Sequence, residues 1–188
     1  MHRLMTTLAV AGVIALAGTA QAQQKPAMFD IMSPGHKEFS PLELKNAGNN
    51  PQAACHGQNI SPALAWKNAP PNTKSFAIVL FDPNGNPPTG FIHWIAYGIP
   101  ATKTSLKEGE ANDASATDHL NGKNGAGSQT YFGPCPPAGQ KAHPYAFIVM
   151  ALDLPPDAMP AGLSRDDFAA AIKGHVLNRA TLTRPYGD

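Results

Sequence analysis

The residues best able to do chemistry in this chain are an aspartate, two histidines and a tyrosine that border its most apolar segments. Asp82 ends "SFAIVLFD", His93 lies inside "FIHWIAYGIP", and His143 and Tyr145 come just before "AFIVMALD". Histidine changes charge near neutral pH, and its burial without a partner is costly. His93 could therefore be a packed core residue, a metal ligand, a catalytic base or one wall of a pocket.

Three apolar segments, 75–82, 91–100 and 144–153, must position these side chains. Each is short, rich in β-branched or aromatic residues and bounded by Gly or Pro, which predicts β-strands. "FDIMSP" and "FSPLELK" are weaker strand candidates nearer the N-terminus.

Side chains alternate between the two faces of a strand, so the sequence predicts which of them lie together. One predicted face contains Phe91, His93, Ile95 and Tyr97, and another contains His143, Tyr145, Phe147 and Val149. Trp94 is expected to point the other way and to be structural. If the strands are neighbours, Asp82, His93, His143 and Tyr145 could converge on one pocket.

The remaining elements are a long loop and one helix. The segment 101–130 is polar and rich in Gly, Asn and Ser, which predicts a surface loop. Ser164, with Asp167 three residues later, resembles a capping box and predicts a helix over 165–182. Strands followed by a C-terminal helix favour an antiparallel α+β or β-sandwich domain.

The N-terminus resembles a secretory signal peptide. A basic start, a short apolar run and the A-x-A pattern that ends at Ala22 predict cleavage after Ala22 and one exported domain over 23–188. An uncleaved anchor is the alternative. No later stretch is long and apolar enough to cross a bilayer, so no transmembrane segment is expected in the mature chain.

Composition limits the partners and the redox chemistry. The formal net charge is +1 with no basic stripe, which argues against nucleic acid as a partner. With 17 Gly and 19 Pro, the chain favours a β-rich fold with many turns. Cys55 and Cys135 are the two cysteines, and in an oxidising compartment a disulfide is favoured over free thiols or a metal site.

Several motifs in a fixed order resemble the phosphatidylethanolamine-binding protein (PEBP) family, in particular its bacterial Raf-kinase-inhibitor-like branch. The matching pieces are NISPALAW (59–66), DP (82–83), HW (93–94), GPCPP (133–137), H-x-Y (143–145), ALD (151–153) and the closing "GHVLNRATLTRPYG". The resemblance covers about residues 36–187, and the combination is more specific than any single piece.

The resemblance implies a mainly β fold, a β-sandwich of antiparallel sheets with peripheral helices, and a small anion-binding pocket. Carried over by motif, the ligand-binding residues are Asp82, His93, Gly133, Pro137, His143 and Tyr145. A Cys55–Cys135 bridge would then join the SP-containing segment to the pocket loop. The ligand is expected to carry a phosphate or carboxylate group, no cofactor is expected, and a homodimer is a further implication of the resemblance.

The chain departs from the family pattern at two positions. Asn84 replaces the second carboxylate of the DPDAP-type motif, and Pro144 stands where the family commonly has Arg or His. Two other functions stay open: an inhibitor of proteases or other proteins that acts through its surface, and an enzyme that uses Asp82, His93 and His143 for acid–base chemistry. The same three residues could form a metal triad, although no H-x-H or HExxH spacing supports one.

The remaining histidines are expected to play smaller parts. His36 and His119 lie in polar stretches and are expected to be solvated. His56 is expected in an exposed loop, and His175 on the packed face of the predicted helix.

Overall fold

The computed structural model describes residues 27–50, 55–112 and 117–187. The predicted signal peptide and its cleavage site lie outside these residues. Within these three ranges, eight strands and one α-helix follow in chain order, with short 3-10 helices at Leu44–Asn46 and Glu110–Asn112. The elements are β1 (Asp30–Met32), β2 (Leu64–Lys67), β3 (Ser75–Asp82), β4 (Phe91–Pro100), β5 (Ser105–Leu106), β6 (Leu120–Asn121), β7 (His143–Leu152), α1 (Arg165–Ala171) and β8 (Val176–Tyr186).

The strands form two antiparallel sheets. The smaller sheet has the order β1-β2-β5 and the larger has the order β6-β4-β3-β7-β8. The three strongly predicted strands are thus neighbours, with β3 between β4 and β7. Nearly every residue of β3 is buried because both its edges are paired and both its faces are covered.

The main core lies between the sheets and makes the fold a β-sandwich. Phe29, Ile31 and Trp66 of the smaller-sheet side pack with Phe76 and other residues of the larger sheet. Ring contacts link the two sides, with Trp66 and Phe76 in an edge-on arrangement at 5.4 Å between ring centroids. The mainly β, antiparallel prediction is confirmed.

A second apolar cluster covers the outer face of the larger sheet. Tyr97 of β4 stacks on Phe168 of α1 at 5.5 Å, and Ile172 belongs to the same cluster. Ser164 caps α1 by accepting a hydrogen bond from the Asp167 backbone N–H, as its sequence predicts. The helix seals this face because the outer sheet residues are apolar.

The predicted helix is wrong beyond its first turns. It ends near Ile172, Gly174 adopts φ +85°, and residues Val176–Tyr186 form the long edge strand β8. A positive φ breaks the helix, and the following alternation of residues suits pairing with β7. The "FSPLELK" strand is also wrong, because its end enters a 3-10 helix instead. The short strand β1 within "FDIMSP" is confirmed.

The predicted loop over 101–130 contains more structure than expected. It includes β5 and β6, and its Leu106, Ala111 and His119 are buried. These side chains anchor the segment to the sandwich, which a count of polar residues does not reveal.

Candidate functional site

An irregularity in the β3–β4 pairing determines where His93 lies. Leu80 pairs with Trp94, but Phe81 pairs with Ile92, so His93 is the extra residue of a β-bulge. A bulge interrupts the two-residue alternation of a strand. As a result, Ile95 and Tyr97 belong to the outer cluster.

The predicted face of Phe91, His93, Ile95 and Tyr97 is therefore wrong in its second half. Trp94, expected to point away from His93, belongs to the main core together with Tyr145. The His93 ring meets the Tyr145 ring edge-on at 5.1 Å, so His93 and Trp94 lie on the same side of the sheet. Trp94 is structural as predicted: it is buried, and its Nε1–H donates to Asn121 Oδ1.

Antiparallel pairing brings Asp82 to the start of β7. Phe81 lies opposite Ala146, so the carboxyl end of β3 adjoins the amino end of β7, where His143 and Tyr145 lie. Tyr145 shares the core-facing side with Phe147 and Val149, which confirms that predicted face. The site residues are close because β3 ends, and β4 and β7 begin, at the same end of the sandwich.

Asp82 and His143 form a buried pair. His143 Nδ1 lies 2.7 Å from Asp82 Oδ2, and the two side chains are only 7% and 3% exposed. The other ring nitrogen of His143 lies 3.2 Å from Gln140 Oε1, on an exposed turn. Asp82 Oδ1 accepts a hydrogen bond from the backbone N–H of Asn84. Asn84, which replaces the second carboxylate of the family motif, therefore contributes to the site through its backbone. Both oxygens of Asp82 and both nitrogens of His143 are thus engaged.

His93 is held differently. Its Nδ1 lies 2.7 Å from the carbonyl oxygen of Phe132, and its ring packs edge-on against Phe91 at 4.8 Å. Burial lowers the pKa of the His93 imidazole; the Phe132 hydrogen bond and the Asp82 charge oppose that effect, and the His143 charge adds to it. A buried ring of this kind favours the neutral form.

Tyr145 completes the group from β7. Burial is the main reason that the pKa of its hydroxyl is raised, and the nearby Asp82 carboxylate raises it further. The hydroxyl is therefore neutral and can both donate and accept a hydrogen bond at physiological pH.

The loop over 131–137 forms the opposite wall. Cys135 is bridged to Cys55, with 5.7 Å between their Cα atoms, so the favoured disulfide is present. The loop is also held by backbone contacts, since Gly48 N–H donates to Pro134 O at 2.9 Å.

Gly133 supports this wall from behind. Its N–H donates to Asn59 Oδ1 at 2.7 Å. A Cβ at this position would meet backbone atoms of residues 46–48 at 2.6 Å. The sequence predicts Gly133 as a ligand-binding residue, whereas the structure places it outside the cavity lining.

These groups enclose a cavity of about 220 Å³. Its lining comprises Asp82, Gly85, Asn86, Phe91, His93, Phe132, Cys135, Pro136, Pro137, His143 and Tyr145. Five of the six predicted ligand-binding residues therefore meet here, and Gly133 does not. Larger grooves exist, such as one of about 940 Å³ beside Lys103, but they do not bring together these histidines and Asp82.

Sequence reasoning missed several members of this lining. Gly85 and Asn86 enter because the chain turns back over Asp82 after β3, and Phe132 enters because its carbonyl holds His93. "DPNGNPP" marks a turn in the sequence, but nothing in it indicates that the turn folds over the cavity.

Two of the other histidines differ from expectation. His119 is buried rather than solvated, and its Nδ1 contacts Asp118 Oδ1 at 3.0 Å. His175 follows the helix instead of lying on its packed face, and it contacts Asp153 Oδ1 at 2.8 Å. His56 is exposed, as expected, and His36 is only partly exposed, with its Nδ1 3.2 Å from Arg184 Nη2 and its Nε2 3.4 Å from Glu43 Oε1.

The alternative of a metal triad formed by Asp82, His93 and His143 gains no support from the geometry, because their ligand atoms are not grouped closely enough to share an ion. Within residues 27–50, 55–112 and 117–187, the one suitable group of His, Cys, Asp or Glu side chains is Glu110, Asp118 and His119. The Lys103 ammonium already bonds to both carboxylates of that group. No helix in the same residues is long and apolar enough to span a membrane.

Comparison with known proteins agrees with the architecture. The chain is 34% identical to the UPF0098 protein YbcL of Escherichia coli, over 93% of this chain and 91% of that protein. It is 39% identical to a UPF0098 protein of Methanothermobacter thermautotrophicus over 70% of this chain and 85% of the relative. It is also 37% identical to a Mycobacterium tuberculosis protein named lipoprotein LppC, over 63% of this chain and 58% of that protein.

The crystal structure of E. coli YbcL, described as a new member of the mammalian PEBP family, superimposes with a TM-score of 0.77 and 30% identity. The match covers 86% of this chain and 99% of the YbcL chain. The model of the phosphatidylethanolamine-binding protein family matches residues 41–187. The family-model match over most of the chain, the relatives and the shared β-sandwich show that this chain belongs to the phosphatidylethanolamine-binding protein family.

Proposed function

We propose that this protein binds a small oxyanion, a phosphate- or carboxylate-bearing group, in the cavity beside His93. The observation that carries the proposal is the convergence of Asp82, His93, His143 and Tyr145 on one cavity of about 220 Å³. Ligand pockets for drug-sized molecules enclose about 300–1,000 Å³, so the occupant of this cavity is a small molecule or one end of a larger one.

Hydrogen-bonding groups of the lining favour an oxyanion. His143 is held in place through both ring nitrogens, with Nδ1 2.7 Å from Asp82 Oδ2 and Nε2 3.2 Å from the Gln140 side chain, and the Tyr145 hydroxyl can donate a hydrogen bond. Because Asp82 adds a carboxylate to the lining, hydrogen bonds rather than net charge would hold the ligand. This predicts modest affinity and strong dependence on geometry.

The test is calorimetry and thermal unfolding with inorganic phosphate and phosphoethanolamine. A ligand at 100 times its Kd stabilises the fold by about 2.7 kcal/mol, so a rise in Tm is expected at millimolar concentrations. His93→Ala should remove the shift. His175→Ala is the matched control, because His175 pairs with Asp153 beyond the other end of β7.

An unchanged Tm with both ligands, together with no heat of binding, would contradict the proposal. If the two ligands bind equally, a free phosphate group is the unit recognised; if phosphoethanolamine binds better, the headgroup is. Binding to a partner protein that survives His93→Ala would favour the alternative of an inhibitor that acts through its surface. Sedimentation of the protein alone in an analytical ultracentrifuge, which measures its mass in solution, tests the homodimer.

We also propose that the protein works outside the cytoplasm. The Cys55–Cys135 bridge supports this location because disulfides persist mainly in oxidising compartments. A relative named as a lipoprotein agrees with it. Fusion of residues 1–30 to a reporter that is active only in the periplasm tests export, and an inactive fusion would contradict it.

One observation favours a second function. A histidine and a carboxylate 2.7 Å apart can move protons. Turnover of esters or phosphoesters that is lost in both Asp82→Ala and His143→Ala would support an enzyme, and the absence of turnover across such substrates would leave the binding function.

A further inference from the structure

The hydrogen bond between His93 and Phe132 fixes which nitrogen of the imidazole carries a proton. Nδ1 lies 2.7 Å from a backbone carbonyl oxygen, which only accepts, so Nδ1 must be the donor. In the neutral ring Nε2 is then a lone-pair acceptor. Within the part of the chain that the structure describes, no other hydrogen bond of His93 is found, although its side chain lines the cavity.

The surroundings of His93 disfavour a second proton on the ring. The side chain is almost fully buried, and burial is the main cause that lowers the pKa of this imidazole. The titratable groups that face it are Asp82 from β3 and His143 and Tyr145 from β7, while Phe91 and Phe132 contribute apolar rings. At neutral pH the cavity therefore presents an acceptor where a simple anion would need a donor.

We infer that His93 makes the cavity select an oxyanion that still carries a proton, with the ligand O–H donating to His93 Nε2. Hydrogen phosphate and the monoprotonated form of a phosphate monoester meet this requirement, whereas sulfate, which has no proton at neutral pH, does not. The inference rests on the proposed function and adds the class of ligand. His93 is thus a specificity-determining residue.

The physical basis is an asymmetry between matched and mismatched hydrogen bonds. A buried acceptor that faces an oxygen lone pair loses its own hydrogen bond and repels the ligand. Sites built to hydrogen-bond a hydroxyl group discriminate strongly against analogues that lack it. Sulfate can bind only after His93 takes up a proton, so its affinity should fall about tenfold for each unit that pH rises above the pKa of His93.

The experiment compares phosphate with sulfate by calorimetry between pH 6 and pH 8.5 on the purified protein. At pH 8 the two ions are tetrahedral dianions of similar size, so charge and shape are matched. Phosphate should bind at least tenfold more tightly than sulfate at pH 8, and the ratio should shrink as pH falls. His93→Gln, which places an amide that can donate or accept at the Nε2 position, should bring the two affinities within about threefold. His175→Gln should leave the wild-type ratio unchanged.

Equal affinities of the wild-type protein for the two ions at pH 8, or tighter sulfate binding, would overturn the inference and leave oxyanion binding in place. If neither ion binds, the proposed function is refuted and the inference with it. Should His93→Gln fail to fold, as judged by its thermal unfolding, the pH dependence of the wild-type ratio decides the question alone.

Discussion

Removal of the Cys55–Cys135 bridge should destabilise the protein mainly through its unfolded state. The bridge joins residues separated by 80 positions. For a closed loop of about that length, the chain-entropy relation gives about 4.5 kcal/mol of stabilisation at 25 °C. A domain of this size should then lose about 9–18 °C in Tm when the bridge is absent.

The native cavity should tolerate that loss because other contacts hold the same wall. Gly48 N–H donates to Pro134 O, and Gly133 N–H donates to Asn59 Oδ1 at 2.7 Å. The bridge therefore constrains the unfolded chain more than it positions the folded loop. Phosphate affinity at a temperature well below the lowered Tm should change by less than about threefold, which is under about 0.7 kcal/mol.

The assay is equilibrium urea unfolding of three samples: the oxidised protein, the same protein reduced, and the Cys55→Ala/Cys135→Ala variant. The reduced protein keeps both sulfur atoms, so the loss common to it and the variant measures the bridge. The urea m-value should rise in both because the unfolded chain expands. A common loss below about 1 kcal/mol, or an unchanged m-value, would refute this reasoning.

Three further predictions concern the cavity and its walls. Burial lowers the pKa of His93 below its ordinary value of 6.5, so on acidification the unfolded chain takes up the proton before the folded chain does. The contribution of His93 to the free energy of unfolding is therefore complete above pH 6.5 and is lost as pH falls through the lower folded-state pKa. The difference in unfolding free energy between wild type and His93→Phe, measured from pH 7.5 to pH 5, should shrink on acidification, and a constant difference would contradict this sign. Gly133→Ala should cost about 1–3 kcal/mol in urea unfolding, because its Cβ meets fixed backbone at 2.6 Å; wild-type stability would show that the loop shifts freely. Asp82→Leu should cost about 3–5 kcal/mol, since it leaves buried His143 without its partner, whereas Asp82→Asn should cost less because the amide oxygen can still accept; equal costs would show that the hydrogen bond to His143 contributes little.

Much of the site could be predicted because its residues lie at the ends of strongly apolar strands. Asp82, His143 and Tyr145 are placed by regular pairing of β3 with β7, and alternation along β7 holds from His143 to Val149. The helix cap at Ser164 is also local, and the sequence predicts it. The strand ends, the alternation along β7 and the cap depend on neighbours in the chain, which the sequence shows directly, whereas the pairing of β3 with β7 joins distant segments.

Other features depend on distant residues. The bulge at His93 arises from register with β3, and no local pattern in "FIHWIAYGIP" indicates it. The end of the helix was missed because residues after Gly174 gain more from pairing with β7 than from another helical turn. Burial of His119 follows from the packing of a loop whose composition is polar.

Residue types and short-range periodicity are sufficient to predict the three central strands and to identify the residues that can do chemistry. The tertiary structure establishes which of those residues face the cavity. A β-bulge places His93 on the cavity side of the sheet, and the Phe132 carbonyl oxygen accepts a hydrogen bond from its Nδ1–H. The tertiary structure also places Gly133 behind the wall, where contact with a segment more than seventy residues earlier leaves no room for a side chain. The bulge at His93 and the position of Gly133 come from contacts between distant segments, which local sequence patterns do not predict.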